Sequence, residues 1–577
     1  MLSRREFCIS GSTLLAALGG TTGAPMATVR MDPGRGADRL NVLVLFTDEH
    51  RFDALGCVGN DQIRTPNLDK LAAHSVRFAN AFTPTPVCVA ARMSFITGHR
   101  AHRTGWVSNA RVPEAGPLSL PTVMELLAEA GYRTHAVGKM HFQGLHHGLH
   151  CHESMEEIVR YRADDDYLMY LKRMGVRTRY PQGLRDLLYC QPQTSGIALE
   201  HAQSTWLAER SVTFLREHTR YRPGQPFFLW ASWIAPHPPF APCAPYDTMY
   251  RPEDMRPPIY AGRPLETLPF PAWAERARLD GAHLDLPRMQ RIRALYYGQI
   301  SHVDHAVGRV VEELERLDLT RNTVILFCSD HGEMLGDHGL SQKFVPYEAS
   351  IRIPLILIWP GRTKAGKVCH ELVGLTDILP TLIHGLGLTY PANQPAPVGE
   401  SLISAAGGGL LSGRDAFVID YGAGRGRWIS IRTQNRKYAL WAADGFEEMY
   451  DLRADPEERH NIAGANLNLK KQLRSRLIQW ERDQGLPASF EGERFRVYAS
   501  PSPPRDLPRT VVINEGRWPE NLPEDERGTV ESYAEAFDRA ISNETSLAPE
   551  KLNLKDYKKK SGTPLIGTRW ERAWREA

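Results

Sequence analysis

Hydrophobic positions along the chain fall into short continuous runs separated by helical stripes. Residues 41–47, Asn-Val-Leu-Val-Leu-Phe-Thr, form an apolar run bounded by charge. That pattern suits a parallel strand buried on both faces. Similar runs predict strands at 132–137, 226–232, 323–329 and 354–359. Between them, Thr65-Pro66 opens a helix over 66–75 with proline at its first position. Further helices are predicted at 121–130, closed by Gly131, and at 201–217, 286–317 and 377–385. Strands alternating with helices define a doubly wound α/β sheet. After Gly399 the pattern changes to short alternating strands at 416–420, 428–433, 437–442 and 447–451, with a helix at 465–484. These predict a small antiparallel sheet backed by a helix. Residues 142–200 are rich in His, Asp and Tyr, fit neither pattern, and read as an insertion that shapes a pocket. Residues 241–275 read as proline-rich loop. Residues 496–577 read as an extension over the surface or at a subunit contact, with disorder as the alternative.

Polar clusters sit directly after the predicted strands, at 48–50, 139–141, 237 and 330–331. Ligands of open parallel sheets bind at the carboxyl ends of strands, so these distant residues can meet at one edge. Asp48, Glu49, Asp330 and His331 offer mostly hard oxygen ligands, which suit Ca²⁺, Mg²⁺ or Mn²⁺ better than Zn²⁺. A proline-rounded loop, 83–87, ends at Cys88, and the residues up to Gly98 read as a helix. The thiol then lies at a helix N-terminus, where free N–H groups favour anions. Arg92, four residues on, shares its face.

Composition adds exclusions. The chain has 577 residues, 24% charged and 42% hydrophobic, enough for a large core and more than one unit. A net charge of +3 is too mild to argue for nucleic acid. No apolar stretch after the N-terminus is long enough to span a membrane in the mature chain. Ser3-Arg4-Arg5-Glu6-Phe7, the apolar run from Ile9 to Leu18 and the small residues that follow read as a twin-arginine export signal, giving a periplasmic or secreted protein. The eight cysteines show no zinc framework, and Cys328 reads as inert core. His146, His147, His150 and His152 match no common zinc spacing.

Pro86-Val-Cys-Val-Ala-Ala-Arg92, followed by Ile96-Thr-Gly-His-Arg100, resembles the signature of type I sulfatases, members of the alkaline phosphatase superfamily. Ala90 and Ala91 stand where that signature usually has proline and serine. The resemblance runs from about Asn41 to about Ala463. It implies an alkaline-phosphatase-like α/β sandwich, with a large, mixed, mostly parallel sheet flanked by helices and a small C-terminal antiparallel sheet. The expected units are a signal and linker at 1–38, a catalytic domain at 39–405, a subdomain at 406–495 and an extension at 496–577. The resemblance also implies that Cys88 is oxidised to formylglycine by a generating enzyme. The formylglycine hydrate is then the nucleophile. A divalent ion, calcium before magnesium or manganese, would be held by Asp48, Glu49, residue 88, Asp330 and His331. Gly138-Lys139-Met140-His141 matches the family's Gly-Lys-x-His element: Lys139 would hold a sulfate oxygen and His141 would act as base. His237 matches a substrate-binding histidine, Lys343 a lysine that contacts the transferred group, the two together stabilising charge on the leaving oxygen, and Asn109 a pocket asparagine. The Asp-His pair at 330–331 is closer to the choline sulfatase and phosphonate monoester hydrolase branch. The expected substrate is a small-molecule or carbohydrate sulfate ester. Phosphonate monoester or phosphodiester hydrolysis is the alternative, an unmodified binding protein a further one, and a homo-oligomer stays open.

Overall fold

The computed structural model describes residues 39–109, 120–142, 147–157, 165–176, 192, 194–260, 262–280, 286–409, 411, 414–500, 512–513 and 516–517. The export signal, His146 and most of the C-terminal extension lie outside them.

Eight strands form the main sheet: β1 (Asn41–Asp48), β2 (Val76–Phe82), β3 (Arg133–Gly138), β4 (Cys151–Ser154), β5 (Phe227–Pro236), β6 (Thr323–Ser329), β7 (Leu355–Ile358) and β8 (Lys367–Gly374). Their order is β4-β3-β5-β1-β6-β7-β2-β8. Neighbours run parallel except at β7, which is antiparallel to both β6 and β2. The sheet is therefore mixed and mostly parallel, as expected from the resemblance. β1 explains the layering. Val42, Val44 and Phe46 point to one face, against Phe95 and Ile96 of the helix Cys88–Thr97 and Leu379 of the helix Ile378–Leu386. Leu43 and Leu45 point to the other, against the helices Gln203–Tyr221 and Leu286–Arg316. A strand sandwiched this way has no polar face, hence its unbroken apolar run.

Three strands of the main sheet fall where the sequence predicts none. β2 and β8 carry charged and partly exposed positions, and β8 lies at the sheet edge, so neither reads as a buried run. β4 and a helix, Asp166–Arg173, fall inside the supposed insertion. The loop expected at 241–275 also gives way to a helix at Phe270–Asp280.

The second sheet, β9 (Ala416–Tyr421), β10 (Trp428–Thr433), β11 (Arg436–Trp441) and β12 (Glu447–Asp451), is antiparallel throughout. Leu473 and Leu477 of the helix Leu467–Gln484 cover one face. Phe417, Trp428 and Trp441 on the other join Phe82, Tyr347 and Ile351 in one core with the large sheet. No helix among the described residues is long and apolar enough to cross a membrane.

Strand registers level the functional edge: Thr47 lies beside Ser329, Asp48 beside Pro236 and Gly138 beside Ser232. Gly138 has φ +96°, and a Cβ there would lie 2.1 Å from the Ser232 carbonyl oxygen, so only glycine lets β3 end this close to β5.

At the far edge, Glu153 on β4 pairs with Arg210, whose NH2 donates to its Oε1 at 3.1 Å. Burial would raise the Glu153 pKa, but hydrogen bonds from His135 and Arg210 outweigh it and lower it to about 2. A carboxyl depressed on folding stabilises above its unfolded pKa and loses that contribution as pH falls through the folded one. Glu153→Gln is thus expected to be less stable than wild type at pH 6. Chemical denaturation across pH should show the gap closing between about pH 4.5 and pH 2.

Candidate active site

Cys88 is the first residue of its helix, and Val87 before it is extended and offers no side-chain cap. The Asn109 side-chain oxygen instead accepts the Val89 N–H at 3.1 Å, so part of this amide serves the helix end. The Cys88 Sγ lies 3.7 Å from Asp48 Oδ1 and 3.3 Å from His331 Nε2. Burial and Asp48 push the thiol pKa well up, against Lys139 and Lys343.

Arg92 ties the strand ends together. Its Nε donates to Asp330 Oδ2 at 2.9 Å and its NH2 to Asp48 Oδ2 at 3.0 Å. Its NH1 donates to the Lys139 carbonyl at 3.0 Å and to Ser232 Oγ at 3.1 Å. One fully buried guanidinium thus touches the ends of β1, β3 and β6 and the middle of β5. It also lies over the Phe46 ring, 4.9 Å from the centroid. Burial would lower its pKa, but Asp330 and Asp48 outweigh that and keep it cationic. Burial likewise acts to raise Asp48, and Lys139, His237, Arg92 and His331 hold it below the ordinary carboxylate range.

Lys139 Nζ bonds both Asp48 Oδ2 and Glu157 Oε2, the latter at 2.5 Å. Burial opposes its charge, but Asp48, Cys88 and Glu157 hold its pKa above the lysine value. His141, at φ 54°, has a buried Nδ1 with no hydrogen-bond partner, and burial with Lys139 pushes its pKa down to about 3. His237 Nε2 lies 3.2 Å from Glu49 Oε1, 3.4 Å from Glu157 Oε2 and 3.4 Å from Lys343 Nζ. Its Nδ1, 2.6 Å from the Pro238 carbonyl, must carry the proton of that bond. Lys343 Nζ bonds Glu49 Oε1. The small sheet supports this lysine's loop: Trp428 Nε1 donates to the Phe344 carbonyl at 2.8 Å.

The carboxylates test whether a cation fits. Asp48, Cys88, Asp330 and His331 each bring a ligand atom within 4.8 Å of the others, and so do Asp48, Glu49, Cys88 and His237. Glu49 holds a left-handed φ of 60°, its N–H on Asp330 Oδ1 at 3.2 Å and its carbonyl on the Tyr296 hydroxyl at 2.6 Å. Its Oε2 is buried without a hydrogen-bond partner, and burial with Glu333 raises its pKa against Lys343. An orphaned buried carboxylate oxygen beside two aspartates and an imidazole fits a hard divalent ion.

Every predicted site residue therefore reaches one edge of the sheet. The sequence reading missed Glu156, Glu157 and Glu333. Glu156 Oε1 accepts the Met140 and His141 N–H groups at 2.9 and 3.0 Å. Glu333 Oε1 accepts the Leu335 N–H at 3.1 Å. The first two lie in the segment read as an insertion, where an acidic dipeptide was the only signal. Glu333, three residues after Asp330, belongs to no matched motif.

A helix-end cysteine ringed by cations, carboxylates and histidines at the carboxyl edge of this sheet defines a hydrolase of tetrahedral oxyanion esters. A family model described as Sulfatase matches residues 40–388, and one described as N-sulphoglucosamine sulphohydrolase, C-terminal, matches 336–483. The chain is 31% identical over 455 residues to an arylsulfatase of Clostridium perfringens, covering 73% of this chain and 90% of that protein. It is 29% identical to a choline-sulfatase of Rhizobium meliloti, over 73% and 82%. The phosphonate monoester hydrolase structure of Agrobacterium radiobacter shares the fold at a TM-score of 0.65 and 24% identity, over 78% and 96%. The chain belongs to the sulfatase family and is a sulfuric ester hydrolase.

Removing the central guanidinium strands two buried carboxylates. Arg92→Met is expected to cost about 3–5 kcal/mol of unfolding free energy, read by chemical denaturation. Arg92→Lys should recover only part of it, because an ammonium lacks the fork that spans both aspartates.

Proposed function

We propose that this hydrolase acts through a formylglycine formed from Cys88, with one divalent ion, calcium before magnesium or manganese, held by Asp48, Glu49, residue 88, Asp330 and His331. The observation that carries the reading is the approach of the Cys88 sulfur to Asp48 and His331, at 3.7 and 3.3 Å. When bound, the cation supplies Lewis-acid polarisation of an ester oxygen, and the hydrated formylglycine supplies the attacking hydroxyl. The chain's own residues do the rest. Lys139 and Arg92 offset charge on the nucleophile side. Lys343 and His237, 3.4 Å apart, face the departing alcohol oxygen together. With its proton on Nδ1, His237 accepts at Nε2, so Lys343 is the proton source of the pair. Neutral His141 accepts a proton from the hydroxyl left on residue 88, which lets sulfate depart.

The substrate is a small-molecule or carbohydrate sulfate ester. Phosphonate monoester or phosphodiester hydrolysis is the second reading, favoured by the Asp330-His331 pair and by one cage suiting oxyanions of sulfur and phosphorus alike. Rates on an aryl sulfate, an aryl phosphonate monoester and a bis-aryl phosphodiester separate the two. Export to the periplasm is supported by the Arg4-Arg5 leader and by Cys151, which is disulfide-bonded. A formylglycine-generating enzyme is the maturation partner, and a homo-oligomer remains part of the proposal.

Intact mass of the Cys88 peptide, after co-expression with a generating enzyme, should be lower by about 18 Da. An unchanged thiol would favour a non-catalytic binding protein, for which Ala90 and Ala91 speak. Cys88→Ala should lower kcat by at least about 10³-fold. Calcium at about 100 times its Kd should stabilise the fold by about 2.7 kcal/mol, read as a Tm increase that a chelator reverses.

A further inference from the structure

Glu157 is the feature of the site that the family motifs leave unexplained. It arrives from outside them, on the segment that follows β4. That segment is fixed at several points. Ser154 N–H donates to Asp166 Oδ2 at 2.8 Å and Glu156 N–H to Asp165 Oδ2 at 2.8 Å. Glu156 itself clamps the Met140 and His141 N–H groups. The chain therefore delivers Glu157 to a set position. Its side chain is only 8% exposed, 2.5 Å from Lys139 Nζ and 3.4 Å from His237 Nε2. One of its oxygens, a His141 nitrogen and the Cys88 sulfur lie within 4.8 Å of one another. A carboxylate thus stands among the groups that would receive the transferred oxyanion.

We propose that Glu157 is a specificity-determining residue that selects singly charged esters over doubly charged ones. Arg92 already faces Asp48 and Asp330, Lys343 faces Glu49, and Lys139 faces Asp48. Glu157 adds one further negative charge against Lys139. Whatever the sum over the remaining groups, it removes one unit of positive charge where the ligand's oxygens would lie. A sulfate monoester or a phosphodiester carries one negative charge and tolerates this. A phosphate monoester dianion, or free sulfate, meets an added repulsion in a poorly solvated site, where Coulomb terms are large. The same repulsion would help expel sulfate when its bond to residue 88 breaks, the step at which the departing group gains its second charge.

The inference rests on the sulfatase reading, and the test separates the two. In the Cys88→Ala chain, with calcium present, calorimetry measures binding of methyl sulfate, a monoanion, and inorganic sulfate, a dianion. Glu157→Gln should raise the affinity for inorganic sulfate relative to methyl sulfate by about tenfold. Glu157→Asp, which keeps the charge, should retain the wild-type ratio. Equal shifts for both anions, a loss of the ratio in Glu157→Asp, or no binding of either anion would overturn the proposal. In the converted enzyme, the ratio of kcat/KM for 4-nitrophenyl phosphate over 4-nitrophenyl sulfate should rise by a similar factor in Glu157→Gln. A wild type that turns over neither ester sinks the hydrolase mechanism and leaves the binding ratio to judge Glu157 alone.

Discussion

A single buried guanidinium governs the architecture of this site. Arg92 holds Asp48 and Asp330 from two adjacent strands, and through the Lys139 carbonyl and the Ser232 hydroxyl it reaches two more. A charge at zero exposure is tolerable only when its donors are used, and all of its nitrogens are used here. The aromatic floor beneath it is equally specific: Phe46 stacks on Trp230 at 4.7 Å, and Phe95 meets both edge-on at 5.6 and 5.1 Å. The hydrophobic core and the polar site therefore share a boundary residue. Lys139 and the aspartates keep their mutual distances because they are bound to one rigid fork, and Cys88 follows because it sits one turn before Arg92 on the same helix.

The site depends on both sheets. The parallel strands supply Asp48, Lys139, His237 and Asp330 from their carboxyl ends, which follows from chain direction alone. Lys343 comes from a different source. It lies on a loop between β6 and β7 whose backbone takes left-handed φ at Gln342 and Phe344, 65° and 78°. Trp428 of the small sheet bonds that loop, and Glu333 bonds the Gln342 N–H. The antiparallel sheet is thus a structural brace for one cation of the active centre, which gives a physical reason for the two sheets to share a core.

What could be read from the chain divides along a physical line. β1 and β6 were legible because burial on both faces leaves an unbroken apolar run. Cys88, Lys139, His237 and Asp330 were legible because strand-end polar clusters in an α/β pattern have one place to meet. β8 was not, since an edge strand alternates with solvent and carries Lys367, His370 and Glu371. Glu157 was not, because its position comes from tertiary clamps, Glu156 on the His141 backbone and Asp165 on the Glu156 backbone, and no local spacing encodes these. Glu333 was hidden for a similar reason: its neighbour Glu49 is far away in sequence.

The helix Cys88–Thr97 has every one of its residues buried, and the sulfur at its head has no accessible surface. A catalyst cannot bind a segment walled in on all sides. Any enzyme that oxidises Cys88 must capture this stretch while it is still extended, during synthesis or shortly after. For a chain converted to the proposed formylglycine, maturation is a race between capture and docking of the helix. On that proposal, a substitution that merely speeds local folding lowers the yield of active protein without disturbing one atom of the finished structure.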